Sequence, residues 1–257
     1  ALAASQGEAF VPTERVGLQL TRSGDKDGEF GMKKIFGFLA FLLPLIAQAS
    51  EYSSTLVVQT GHLRESDLVV RNITDLRSKK TCLAFYVRTT GTSAVMKCYD
   101  VVGEFGTQLS QVGHIKEDDL IIRKVEDAQN GVACLVAYVS TPGTSPAVDC
   151  YPSAHRFREN IVQDAHVREG DLDVRRISDP SGQRACLVTY VGTTGTSPSI
   201  LCYDSQPKGT GGLHQVSHLR EGDLVVRKIV DRANKKACMV TYVSTEGTSS
   251  RLFCFDE

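Results

Sequence analysis

A period of 52 residues constrains this chain more than any other feature. His62-Leu63-Arg64-Glu65-Ser66-Asp67-Leu68-Val69-Val70-Arg71 recurs as His114 to Arg123, His166 to Arg175 and His218 to Arg227. A Gln stands three residues before each His, at Gln59, Gln111, Gln163 and Gln215. Similarity at a fixed spacing of this length marks one supersecondary unit, copied and packed against its neighbours. The period places four units at about 50–101, 102–153, 154–205 and 206–257. The segments before each later Gln (Val101 to Ser110, Ser153 to Val162, Ser205 to His214) differ in composition yet keep their length. A free linker tolerates insertions, so constant spacing implies that the units touch.

Within a unit the pattern predicts four short strands. The first runs from Leu56 to Arg64 and the second from Asp67 to Ile73, joined by a two-residue turn at Glu65-Ser66 that becomes Glu-Gly in the third and fourth copies. This register sets Arg64 opposite Asp67, an attractive pair, and likewise Lys116 with Asp119, Arg168 with Asp171 and Arg220 with Asp223. Alternation puts Leu63, Leu68 and Val70 on one face, and His62, Val69, Arg71 and Ile73 on the other. The second hairpin turns at Thr89-Thr90-Gly91, repeated as Thr141-Pro142-Gly143, Thr193-Thr194-Gly195 and Thr245-Glu246-Gly247. A Gly closing a short loop suits a left-handed position. Centring the hairpin on Thr90 pairs Cys82 with Cys98 and Tyr86 with Ala94. In the next two copies Tyr138 and Tyr190 meet Pro146 and Pro198, so the last strand belongs at a sheet edge.

All eight Cys follow the repeat, two per unit and always sixteen positions apart. The hairpin register selects the pairs Cys82–Cys98, Cys134–Cys150, Cys186–Cys202 and Cys238–Cys254, because directly opposed strand positions lie within disulfide reach. A metal site is the rival use of these thiols. No C-x-x-C knuckle is present, and an exported chain favours oxidation. The class is therefore all-β, with four tandem units. A four-bladed β-propeller-like ring is the expected arrangement, since radial repetition hides strand edges and 52 residues is an ordinary blade length. The alternative is a linear array of small disulfide-stapled β-modules.

Export is read from an internal stretch. Met32-Lys33-Lys34 precedes an apolar run from Ile35 to Ile46 that ends in Ala47-Gln48-Ala49. A basic start, a short apolar core and an A-x-A end make a signal peptide of bacterial type at 32–49, cut after Ala49. The run falls short of the ~20 apolar residues needed to span a bilayer. Ser50 follows the cut where a lipoprotein would carry Cys. Residues 1–31 then read as an upstream extension foreign to the native protein, and 50–257 as the four-unit domain. The expected location is periplasmic or secreted.

Functional classes narrow less sharply. A net charge of −1 argues against nucleic acid and anionic membrane surfaces as partners. With Trp absent and aromatics at 7%, stacking on flat ligands is disfavoured. No cofactor is implied. The recurring polar set offers His62, His114, His166 and His218, with Arg71, Arg123, Arg175 and Arg227, as candidate ligand-binding residues. On the innermost strand of a ring, the four imidazoles would approach a central channel and could hold an anion or a metal. The competing account is structural: His satisfies turn carbonyls, Asp67 caps the turn, and Arg71 pairs with Asp75. An enzyme would need one asymmetric cluster. Asp173, standing where the first copy has Val69, should face His166, while His155 and His214 lie outside the repeat. No G-x-S-x-G, H-E-x-x-H or phosphate loop accompanies them, so a hydrolase is the least supported reading. The favoured reading is a non-catalytic binding or interaction scaffold for an envelope or extracellular protein or polymer, with four equivalent faces adding avidity.

Overall fold

The computed structural model describes residues 57–102, 108–153, 160–206 and 211–257. The candidate leader at 32–49, the stretch 1–31 and His155 lie outside the described residues.

Unit one contributes β1 (Val57–Glu65), β2 (Leu68–Asp75), β3 (Lys80–Val87) and β4 (Val95–Asp100). Unit two contributes β5 (Leu109–Glu117), β6 (Leu120–Asp127), β7 (Val132–Val139) and β8 (Ala147–Pro152). Unit three holds β9 (Val162–Glu169), β10 (Leu172–Asp179), β11 (Arg184–Val191) and β12 (Ser199–Asp204), and unit four β13 (Leu213–Glu221), β14 (Leu224–Asp231), β15 (Lys236–Val243) and β16 (Arg251–Asp256). Each unit is one four-stranded antiparallel sheet with its strands in chain order. The first and last strands are therefore the edges, and Pro146 and Pro198 stand just before β8 and β12, where they cost no ladder bond. Among the described residues no helix is long and apolar enough to cross a membrane.

The second hairpin has the expected register. Cys82 lies opposite Cys98, and all four disulfides close within their own units. Gly91, Gly143, Gly195 and Gly247 take φ of 79°, 82°, 76° and 75°, which only Gly adopts without strain. The Thr that follows locks the loop. Thr92 Oγ1 donates to the carbonyls of Val87 and Thr89, and Thr144, Thr196 and Thr248 repeat both bonds.

The first hairpin differs from expectation by one residue. Glu65 pairs with Leu68, leaving Ser66-Asp67 as the turn, and Arg64 faces Val69 instead of Asp67. Lys116, Arg168 and Arg220 likewise face Ile121, Asp173 and Val225. Two causes are visible. The first turn residue takes φ of 58°, 53°, 63° and 58° at Ser66, Asp118, Gly170 and Gly222, the position Gly serves best. The shift also frees the Asp67 carboxylate for unit two, where Tyr138 Oη donates to it at 2.8 Å and Ser140 Oγ at 2.9 Å. Moving the turn by one residue changes the pairing by two, so the parity of the faces survives. Leu63 and Val70 are directly paired, as are His62 and Arg71. Units three and four carry Gly at this turn already. Asp118→Gly should therefore stabilise the protein by roughly 0.5–1 kcal/mol in denaturant titration, while Gly170→Asp should cost a similar amount.

The sheets pack in series through opposite faces. The face of unit one bearing Leu68, Val70, Leu83, Phe85 and Val87 forms one core with Ile121, Val125, Cys134, Val136 and Tyr138 of unit two. The other face of unit two, with Leu120, Ile122, Leu135 and Val139, packs on Ile177, Cys186 and Val188 of unit three. Unit three repeats the arrangement on unit four, setting Leu172, Val174 and Leu187 against Ile229, Cys238 and Val240. Edge strands follow suit, with β4 against β8, β8 against β12 and β12 against β16. Closure of a ring is not found: among the described residues no hydrogen bond, ion pair or core cluster joins unit four to unit one. A linear array of disulfide-stapled modules accommodates every contact.

Candidate functional site

Each junction between units is pinned by one buried Asp at the end of a second strand. Asp127 accepts from Asn72 Nδ2 at 3.1 Å and Tyr99 Oη at 2.7 Å of unit one. Asp179 accepts from Lys124 Nζ at 2.9 Å and Tyr151 Oη at 2.7 Å of unit two. Asp231 accepts from Arg176 Nη1 at 2.6 Å and Tyr203 Oη at 2.6 Å of unit three. All three Asp side chains are fully buried, where an unpaired carboxylate would be costly and these donors make it tolerable. Burial alone would raise the Asp179 carboxyl; bonds from Lys124, Ser181 and Tyr151 outweigh it and hold the group below the usual carboxylate range. The same geometry works the other way on the tyrosines. Burial first, and then the neighbouring Asp, raise Tyr99, Tyr151 and Tyr203 well above the ordinary phenol.

These anchors give a test in alkali. A phenol whose folded pKa is raised lends its stabilisation below its unfolded value and loses it as pH climbs past that value. The fold should therefore weaken progressively above pH ~10, where the unfolded tyrosines ionise. Tyr151→Phe should flatten that loss, read by tyrosinate absorbance together with circular dichroism.

The recurring Gln, His and Arg separate into two roles. Arg123, Arg175 and Arg227 are buried, and Arg71 is partly so. Each is gripped by the Gln of its own motif. Gln59 Oε1 accepts from Arg71 at 2.6 Å, Gln163 Oε1 from Arg175 at 3.2 Å, Gln215 Oε1 from Arg227 at 2.8 Å, and Gln111 Oε1 from Arg123. A Tyr on the third strand supplies the other support, as in Arg123 Nε to Tyr138 Oη at 2.8 Å and Arg227 Nε to Tyr242 Oη at 3.0 Å. Arg71 thus bonds to Gln59 and Tyr86 and not to Asp75, which instead accepts from its own turn through Arg77 N and Ser78 Oγ. Asp67 reaches the next unit rather than capping its hairpin.

His62, His114, His166 and His218 pair with these Arg across the hairpin but remain exposed, each on the first strand of a different sheet. His114 sits below the ordinary imidazole value, through partial burial first and then Arg123 and Lys116. Among the described residues no group of three or more His, Cys, Asp or Glu is placed to hold a metal ion.

The one departure from the repeat that gathers charge is at the junction of units two and three. His166 Nε2 lies 3.0 Å from Asp173 Oδ2, as the shared face requires. Asp173 also accepts from Arg175 Nε at 2.9 Å, and Arg175 reaches on to Glu117, which takes Gln163 Nε2 at 2.9 Å. A cleft of about 270 Å³ opens beside this network, lined by Glu117, Asp119, Arg168, Asp171, Asp173 and Tyr190 among others. Among the described residues no Ser, Thr or Cys is hydrogen-bonded to His166. Comparison with protein-family models, with curated proteins and with solved structures finds no match.

Proposed function

We propose that this chain is an exported, non-catalytic scaffold that binds an envelope or extracellular protein or polymer through repeated contacts. One observation carries the reading: the repeat consumes its Gln, Arg, Tyr and Asp in holding strands and units together, yet leaves the motif His of each unit exposed on an edge strand. In this reading His62, His114, His166 and His218 are the contact positions. Arg71, Arg123, Arg175 and Arg227, paired with them across each hairpin, add positive charge from within the sheet. Four equal contacts raise avidity for a repetitive partner without tight binding at any one of them. Disulfides in all four units indicate an oxidising compartment. The leader at 32–49, cut after Ala49, would deliver the chain to the periplasm or the medium, and 1–31 would form no part of the native protein. Replacing all four His with Gln tests the assignment. The variant should keep its melting temperature while losing retention on isolated cell envelopes; a collapsed fold, or unchanged retention, would contradict it.

A second reading rests on the cleft at the junction of units two and three. Five carboxylates (Glu117, Asp118, Asp119, Asp171 and Asp173) outnumber its two guanidiniums, so its field favours a small cationic ligand. Asp173→Val restores the residue of unit one and should abolish such binding without unfolding the sheet.

A further inference from the structure

We infer that unit four is a docking surface for unit one of a second copy of this chain, so that molecules associate head to tail. The inference rests on how the units pack and is independent of the histidine reading.

In the three internal junctions one face of a unit is always covered by the opposite face of the next. Leu68, Leu120 and Leu172 hold the same place on the covered face and are 1%, 3% and 1% exposed, whereas Leu224 of unit four is 47% exposed. Val243 follows the same rule at 38%, against 1% for each of Val87, Val139 and Val191. The remaining large exposed apolar side chains of that face are Leu219, Phe253 and Phe255. By the strand register all five lie on the face that continues the stack. Exposed apolar side chains gathered on one sheet face mark an interaction surface.

The receiving side is present at the other end. Ile73 and Cys82 of unit one are only part-buried. Their counterparts in units three and four, Ile177, Cys186, Ile229 and Cys238, are fully covered by the unit before them. The charges match as well. Lys228 occupies the place of Asn72, Lys124 and Arg176, the three residues that reach the anchoring Asp of the next unit. The corresponding acceptor in unit one is Asp75, which accepts from Arg77 N, Ser78 N and Ser78 Oγ of its own turn. Phe255 stands where Tyr99, Tyr151 and Tyr203 donate to that Asp. A contact between copies is therefore more apolar than the internal ones and depends on Lys228 for its polar anchor. Because the two surfaces differ, the contact is heterologous and builds longer assemblies instead of stopping at a two-fold dimer.

Sedimentation velocity on the purified, oxidised protein over a concentration series tests this. The expected result is a concentration-dependent series above the monomer mass, reduced to monomer by Leu224→Glu and separately by Lys228→Glu. Both positions lie on the uncovered end, and circular dichroism would verify that each variant still folds. A wild type that stays monomeric at every concentration overturns the inference, and so does association that survives both substitutions. Monomers in which Leu224 amide exchange is as slow as that of Leu172 would also overturn it, showing that units four and one of the same molecule close a ring.

Discussion

Replacing Asp179 with Ala should destabilise the protein by about 3–5 kcal/mol, the cost of leaving one member of a buried ion pair without the other. Lys124 and Asp179 are both wholly enclosed between units two and three, with nitrogen and oxygen 2.8 Å apart. Removing the carboxylate leaves a buried ammonium with only Glu126 at 3.1 Å to balance it, and leaves the Tyr151 hydroxyl without its acceptor. Changing Lys124 to Met as well should recover much of the loss, since two apolar groups bury more easily than one stranded charge. Unit one supplies a neutral comparison. Asn72 stands in the place of Lys124, so Asn72→Ala strands no cation there and should cost nearer 1–3 kcal/mol. Urea titration of the three variants would check the order. Asp179 also sets a pH dependence. Its folded pKa is depressed, so its contribution is present above the unfolded value near 3.9 and fades as pH falls through the folded one.

Removing the disulfide of unit three through Cys186→Ala and Cys202→Ala is the second large effect. Closing a loop of about 15 residues constrains the unfolded chain by roughly 3 kcal/mol. The bridge also fills space. Cys186 is fully buried in the core shared with unit two, so its loss adds the cost of a cavity to the loss of the constraint. Cys82 is only part-buried, since among the described residues no sheet packs on it as unit two packs on Cys186. The Cys82/Cys98 double substitution should therefore cost less than the Cys186/Cys202 one. Among the described residues each core cluster joins neighbouring units, so hydrogen exchange should rise in unit three and at its two junctions while β1 to β4 stay protected.

Much of this fold was legible in the sequence, and the residues show why. The Cys pairs and the Thr-x-Gly loops fixed the second hairpin, since a disulfide tolerates only directly opposed positions and Gly marks the left-handed residue. The face shared by Leu63, Leu68 and Val70 followed from alternation alone. The expected first turn is displaced by one residue because the Glu-Gly of the later copies suits a two-residue turn, and that register pairs Arg64 with Asp67. The structure spends Asp67 on Tyr138 and Ser140 of the next unit instead, a demand no single repeat contains. The same blindness hid the buried anchors. Asp127, Asp179 and Asp231 recur at the repeat spacing, as do Tyr99, Tyr151 and Tyr203, and that double recurrence was the available signal. What it lacked was which faces of consecutive sheets meet. The Gln of the motif was visible, but its bond to Arg is a cross-strand contact that depends on the true register. Asp75, on the same strand as Arg71, is taken up by its own turn.

A sheet that carries its own disulfide is repeated four times along the chain. The most direct test is a non-reducing peptide mass map of the protein recovered from the cells that make it. It should show four linkages and no others: Cys82 to Cys98, Cys134 to Cys150, Cys186 to Cys202 and Cys238 to Cys254. Free thiols, or a bridge between Cys of different units, would contradict it.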